Sequence, residues 1–382
     1  MQGHDDDIAY PSSIGFLLVH VGCLAVVWTG LTWRAVALAA ALYVLRIFAI
    51  GAGYHRYFAH RAFGTSRACQ FILACLAQTS AQRGILWWAA RHRRHHQYSD
   101  TADDVHSPVQ RGFLYAHLGW IFAPRNAATD YAAVRDLARF RELVWLDRHP
   151  YLPAALLATA TWLIAGWPGL AIGFCWSTVA VWHATFSINS LAHVVGRQRY
   201  VTGDQSRNNW LLALLTMGEG WHNNHHAYQA SVRQGFRYWE YDPTYYALRV
   251  LSWLGLVWDL RLPPPAVIKG EYRLGRTVID KVAGQLAASF PINQITTQVQ
   301  EALARSPGWT EVKLRIASAR SQAETFWNEI DLPEVPTLEE VRRYAALRLA
   351  RTPSLEDIAV RARQRLLELI YARLSETAAA SP

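Results

Sequence analysis

The chain has 382 residues, of which 52% are apolar and 18% charged, with 17 tryptophans and a formal net charge of +9. So low a share of charge falls below the roughly one quarter usual in soluble domains and points to a membrane protein. From Pro263 onward 16 Lys/Arg face 14 Asp/Glu, so most of the positive surplus lies in the apolar part, where it suits anionic lipid or an acidic partner; no nucleic-acid motif is present.

The first eleven residues, MQGHDDDIAYP, are acidic, unlike the basic start of a signal peptide, and read as an N-terminal cytosolic segment (1–11). Four apolar runs then approach the roughly 20 residues a bilayer-spanning helix needs: about 12–31, 35–54, 151–167 and 169–190. The first two are joined by a short turn at Thr32–Arg34 and the last two meet at Pro168-Gly169, which predicts two helical hairpins. The arginine-rich stretch 55–150 belongs on the cytoplasmic side by the positive-inside rule, and both termini follow it there. Segment 69–88 is interrupted by Gln70, Gln78, Gln82 and Arg83 and reads as one interfacial or buried helix that does not span; 113–122 reads the same way. Cys23, Cys69, Cys75 and Cys175 form no C-x-x-C pair and read as small core residues. After Pro263-Pro264-Pro265 the composition changes, and 266–382 reads as a separate, amphipathic, soluble helical extension behind a membrane domain at 12–262.

Nine of the 15 histidines fall into groups. His55 and His60 stand in HRYFAH, His92, His95 and His96 in HRRHH, His193 at the end of NSLAH, and His222, His225 and His226 in HNNHH. In the H-x-x-H-H spacing, positions i, i+3 and i+4 share one helical face within a turn, so three imidazoles can converge on one or two metal ions. Asn189 and His193 are also one turn apart. His55 and His60 are five apart, a wider splay that suits ligation of different ions. Neutral imidazole fits iron, zinc or copper. Of the other histidines, His20 and His183 read as hydrogen-bonded inside the bundle, and His106 and His117 as candidates for orienting ligands.

The order H-x4-H, H-x2-H-H, N-x3-H, H-x2-H-H, with GYHRYFAHRAF (53–63), ARHRRHHQYSDTADDVHSP (90–108), RGFLYAHLGW (111–120) and GEGWHNNHH (218–226), resembles the membrane-bound fatty acid desaturases, in particular the stearoyl-CoA desaturase-like branch. The likeness covers roughly 12–262. It implies an all-α membrane protein with four transmembrane helices under a cytosolic helical cap. It implies a di-iron centre held by His55, His60, His92, His95, His96, His193, His222, His225 and His226, with Asn189 holding a water beside one iron. It implies a bent acyl tunnel lined by Gln82, Trp88 and Thr185, and insertion of a cis double bond, at the delta-9 position by analogy, using O2 and two electrons. An Arg-Asp pair that animal acyl-CoA desaturases carry before the second box is Ala90-Arg91 here, so acyl-CoA and acyl-lipid substrates both stay open. Electrons then come from a separate ferredoxin- or cytochrome b5-type donor and its reductase.

Removing hydrogen from an unactivated methylene is beyond any acid or base side chain and calls for a metal–oxygen oxidant, which leaves the protein to position the carbons and exclude water. A hydroxylase using the same site and a non-catalytic membrane metal-binding protein are the alternatives. A product lighter by two hydrogens separates the first, and oxygen-dependent turnover the second.

Overall fold

The computed structural model describes residues 10–304 and 334–380; most of the expected segment 1–11 lies outside the described residues, as does 305–333 of the extension. The described chain is mostly helical, with one two-stranded antiparallel pair, Gly64–Thr65 against Val257–Trp258. It divides into two compact units, one of residues up to 199 with 205–268, the other of 200–204 with 269–382.

In the first unit, Tyr10–Gly22 continues through a 3₁₀ turn at Cys23–Ala25 to Val26–Thr29. The helix stops at Gly30, whose φ of 73° is one only glycine adopts at little cost, and Thr32 caps the next helix by accepting from the Ala35 amide at 3.3 Å. The hairpin turn therefore falls at Gly30–Thr32, two residues before the expected place. Among the described residues two helical stretches are long and apolar enough to cross a membrane, Trp33–Ala59 and Leu152–His193; Ser13–Thr29 is apolar but shorter. The second stretch breaks at Ala165 and Gly166, not at the expected Pro168-Gly169. The reason is local: Gly166 takes the positive φ, and Pro168, lacking an amide hydrogen, fits the first turn of the helix that follows. Leu17, Leu18, Val21, Leu24, Leu156 and Leu163 are exposed, an apolar surface that suits lipid better than water.

The segment expected as one helix over 69–88 is two, Arg67–Gln78 and Ile85–Tyr98, separated by a turn in which Ala81 and Arg83 have positive φ. Polar residues concentrate at 78–83, where the backbone leaves the helix. Asp147 fixes the start of the second helix by accepting from the Leu86 and Trp87 amides, each at 2.9 Å. Glycine is required at 84 because a Cβ there would overlap the Asp147 carboxylate. Residues 113–122 contain a π turn, Tyr115–Gly119, and a short helix, Trp120–Phe122. The four cysteines are free thiols.

The second unit contains the helices Arg276–Ala288, Ile292–Ala304, Leu338–Arg348 and Leu355–Ala380 around a core of its own that includes Val282, Leu286, Val299, Val341, Ile358 and Leu366. A capping box between Thr337 and Glu340 starts one of them.

Candidate metal centre

His55 and His60 come from the C-terminal end of the first long apolar stretch. There the helix widens to a π-helix, Ile50–Ala59, and the His60 amide donates to the His55 carbonyl at 3.2 Å. With i→i+5 bonding, residues five apart stand above one another. Where the sequence spacing suggests ligation of different ions, the structure brings both rings into one group. The helix Ile85–Tyr98 supplies His92, His95 and His96; a 3₁₀ turn, Leu191–His193, supplies His193; and His222–Ala227 supplies the last three.

The nine histidines form two adjacent nests. His55, His60, His92, His96 and His225 make the first, and His95, His193, His222 and His226 the second; within each, one ligand atom per ring lies within 4.8 Å of all the others. In the first nest Nε2 atoms are separated by 2.9 Å for His55–His225, His225–His96 and His92–His60, and by 3.0 Å for His96–His92. In the second, His193 and His222 approach through Nε2 to 3.1 Å.

These spacings and protonation states fit a metal. Glu219 accepts from Nδ1 of His55, Asp104 from Nδ1 of His95 at 2.9 Å, and Asp100 from Nδ1 of His193 at 2.9 Å. An ionised carboxylate only accepts, so each of these Nδ1 atoms carries the proton and each Nε2 presents a bare lone pair to its nest. Nε2 of His95 is buried with no hydrogen-bond partner among the described residues. Where two such unprotonated nitrogens face one another at this range, they repel unless a cation lies between them. Two nitrogens each about 2.0–2.1 Å from one ion and at right angles would lie about 2.9 Å apart. Burial, and then the neighbouring imidazoles, hold His60, His92, His96, His222 and His225 well below the ordinary histidine range, so they are neutral at pH 7, the form that binds metal.

The carboxylates stay charged despite burial. Burial would raise Asp100, but its bonds to His193, Ser107 and the Gln205 amide bring it to about 2. Asp104 is likewise held below the usual carboxylate range by His95 against the effect of burial. Glu219 is brought to about 2 by His55 and Arg56, again against burial. Arg56 donates to Glu219 at 2.8 Å and to Asp242 at 3.1 Å, which fixes the carboxylate that fixes His55. Sequence reasoning missed Asp100, Asp104, Glu219 and Arg56. Their signal was position, since all four stand within a few residues of a histidine box.

Asn189 faces a cavity of about 30 Å³ shared with His55, His92, His222 and Glu219, room enough for a water. A larger cavity of about 620 Å³ meets the first nest at His92 and Asn189 and runs between apolar walls past Trp182, Phe186 and Phe174 to Ala154 and Ala158. Gln82, Trp88 and Thr185 all line it. Gln82 donates to the Thr185 hydroxyl at 3.2 Å, and Trp88 stacks between Tyr54 and His92 with ring centres 5.2 and 4.8 Å away. The structure therefore brings the nine histidines together with Asn189, Gln82, Trp88 and Thr185. His106 lies against His95, ring centres 4.2 Å apart. His117 instead joins His183 at 3.0 Å, and His183 joins His20 at 3.2 Å, in a row separate from both nests.

A model of the fatty acid desaturase family matches residues 31–254. The chain is 37% identical over 253 residues to an acyl-CoA 5-desaturase of Anemone leveillei, covering 64% of this chain and 77% of that protein. It is 36% identical over 259 residues to an sn-1 stearoyl-lipid 9-desaturase of Synechocystis, covering 67% and 81%. It is 36% identical over 239 residues to a chloroplastic palmitoyl-monogalactosyldiacylglycerol delta-7 desaturase of Arabidopsis thaliana, covering 61% and 64%.

Proposed function

The chain belongs to the fatty acid desaturase family and is an oxidoreductase acting on fatty acyl chains, and we propose that it inserts a cis double bond at the delta-9 position of a long-chain acyl-CoA. The observation that carries this reading is the meeting of two histidine nests with the end of an apolar cavity lined by Gln82, Trp88 and Thr185. The first nest would hold one iron through His55, His60, His92, His96 and His225. The second would hold another through His95, His193, His222 and His226, with Asn189 holding a water beside one of the two. When bound, the two irons supply activation of O2 and abstraction of hydrogen from an unactivated carbon. The balance per turnover is one –CH2–CH2– and one O2, with two electrons and two protons, giving one –CH=CH– and two waters.

The residues do the rest. Glu219, Asp104 and Asp100 keep the protons on Nδ1 and turn Nε2 inward. The aromatic walls exclude water, and the Gln82–Thr185 pair with Trp88 bends the acyl chain so that one pair of carbons faces the nests. Arg83 and Arg91, which line the same cavity, offer positive charge to the phosphates of a CoA head group. The electrons come from a separate ferredoxin- or cytochrome b5-type donor with its reductase. The protein works as a multi-pass membrane protein: four spans at about 12–31, 35–54, 151–167 and 169–190 within a domain 12–262, a cytoplasmic cap, and both termini and the extension 266–382 on the same side.

The test is mass spectrometry of total fatty acids in a host without a desaturase, expressing the chain or its His225→Ala variant together with an electron donor. New cis-monounsaturated chains, absent from the variant, are expected. Hydroxylated chains, or no new product with the donor present, would overturn the reading.

A further inference from the structure

Arg46 is the buried charged residue within the first long apolar stretch that the metal centre does not use. It is fully buried, and among the described residues no carboxylate pairs with it. Its donors go to neutral oxygens: the Leu42 carbonyl at 3.2 Å, the Thr178 hydroxyl at 2.7 Å, the Ser177 hydroxyl, and the Thr79 carbonyl at 3.5 Å. Its guanidinium also stands 5.9 Å from the centre of the Phe174 ring.

An unpaired cation in an apolar bundle is costly, and an apolar side chain of similar length would pack there without that cost. Nor do its neighbours need it. The Thr178 hydroxyl already donates to the Phe174 carbonyl at 2.6 Å, and that of Ser177 to the Gly173 carbonyl. What Arg46 does is join three parts of the acyl cavity from one layer behind its wall. Phe174 is wall. The turn at 79–84 contributes Ala81, Gln82 and Arg83 to the wall. The helix Ser177–Asn189 contributes Thr185 and Asn189. The turn follows the carbonyl end of Arg67–Gln78, where a positive charge is favoured. The same turn is held at two further points, by Trp182 donating to the Ser80 carbonyl at 2.7 Å and Tyr54 donating to the Arg83 carbonyl at 2.7 Å.

We propose that Arg46 is a positioning residue for the acyl chain: by tying the 79–84 turn to the head of the Ser177–Asn189 helix, it holds Gln82 against Thr185 and so sets which pair of carbons faces the metal nests. The proposal rests on the desaturase reading. Without Arg46 the turn keeps its two other anchors, so the cavity persists, but its bend loosens. A displacement near 1 Å at a reacting centre costs up to about a hundredfold in rate at the preferred position and lets neighbouring positions compete.

The experiment expresses the full chain, Arg46→Met, Arg46→Lys and Thr178→Val with an electron donor in a host lacking desaturase. Mass spectrometry locates the double bonds, and metal content and thermal unfolding report the fold. In Arg46→Met the share of minor positional isomers should rise about tenfold, with kcat falling more than KM changes, at normal metal content. Arg46→Lys, which keeps a donor and the charge, should restore most of the wild-type pattern. Thr178→Val removes one anchor at nearly constant shape and should shift the isomers the same way by a smaller factor. A folded, metal-loaded Arg46→Met with the wild-type isomer pattern overturns the proposal; should that variant fail to fold, an unchanged pattern in Thr178→Val does so. A wild-type chain that forms no unsaturated product sinks the desaturase reading, a result separate from either.

Discussion

The two histidine nests differ in access and in how the chain fills them. His60, His92 and His96 of the first are only half-buried, and a surface recess of about 400 Å³ reaches His60 and His96 between Arg93 and Gln97. All four histidines of the second are buried, and two of them are backed by aspartates. The two H-x-x-H-H motifs are used reciprocally. His92 and His96 go to the first nest and His95 to the second, whereas His222 and His226 go to the second and His225 to the first. Helical geometry accounts for the sorting: i and i+4 lie about 40° apart around the axis, while i+3 lies about 60° to the other side of i. Each motif therefore gives a pair to one nest and a single ring to the other, and neither nest can form without both helices.

The strongest way to break this comparison is to remove one ring from each nest. Since each motif serves both nests, His225→Ala and His222→Ala should both lower turnover by roughly a thousandfold or more. Metal analysis should show one of two bound ions lost in each case. A His225→Ala protein that still holds two ions would show that the first nest does not depend on it. A smaller effect is expected from the carboxylates. Glu219→Gln should weaken metal binding or activity about 10- to 100-fold through His55 alone, and Asp104→Asn by a similar factor through His95. Equal loss of both ions in either variant would contradict the separation of the nests.

Much of this centre can be read from the sequence, because metal ligation at i, i+3 and i+4 leaves a spacing that survives without coordinates. The Gln82–Thr185 contact is foreshadowed only by likeness to a family, since the two residues are 103 positions apart. The sorting into five and four is not legible, because it depends on a π-helix: nothing in IGAGYHRYFA announces i→i+5 bonding, and ordinary helical spacing sends His55 and His60 apart. Asp100, Asp104 and Glu219 are hidden for another reason. Carboxylates near a box look like solvated surface until burial and the opposing Nδ1 atoms are seen. The split of 69–88 and the break at Ala165–Gly166 follow from single residues with positive φ, which pattern arguments place only to within a turn.

A finer test concerns the closed nest in metal-free protein. Burial, and then His95, hold His106 at about 3. The unfolded chain takes up that proton near pH 6.5 and the folded chain does not. This histidine therefore costs nothing above pH 6.5 and lowers stability progressively as pH falls from about 6.5 toward 3. His106→Phe, which keeps a ring against His95, should flatten the acid limb of an unfolding curve in detergent by about one proton and leave the curve above pH 7 nearly parallel to wild type. Asp100 has the opposite sign. Its contribution is complete above the ordinary carboxylate range and is lost only as pH falls from about 4 toward 2. An unaltered limb in His106→Phe would mean that the ring titrates near its ordinary value, and that the second nest is less closed than its burial indicates.

The smallest effect is expected from the second unit. Every histidine of both nests, every carboxylate that orients them and every residue lining the cavity of about 620 Å³ lies between 15 and 242, within the first unit. The second unit buries its own apolar residues, among them Val282, Val299, Val341 and Ile358, and so does not draw its core from the catalytic one. Deleting 270–382 should leave both ions bound and the position of the double bond unchanged, with kcat and KM within about twofold, the range of changes that touch no buried feature. Metal content and product analysis of the truncated protein in membranes check this. A truncation that stays folded and keeps both ions but forms no product would give the extension a part in the reaction; one that loses ions from a single nest would show which of the two depends on it.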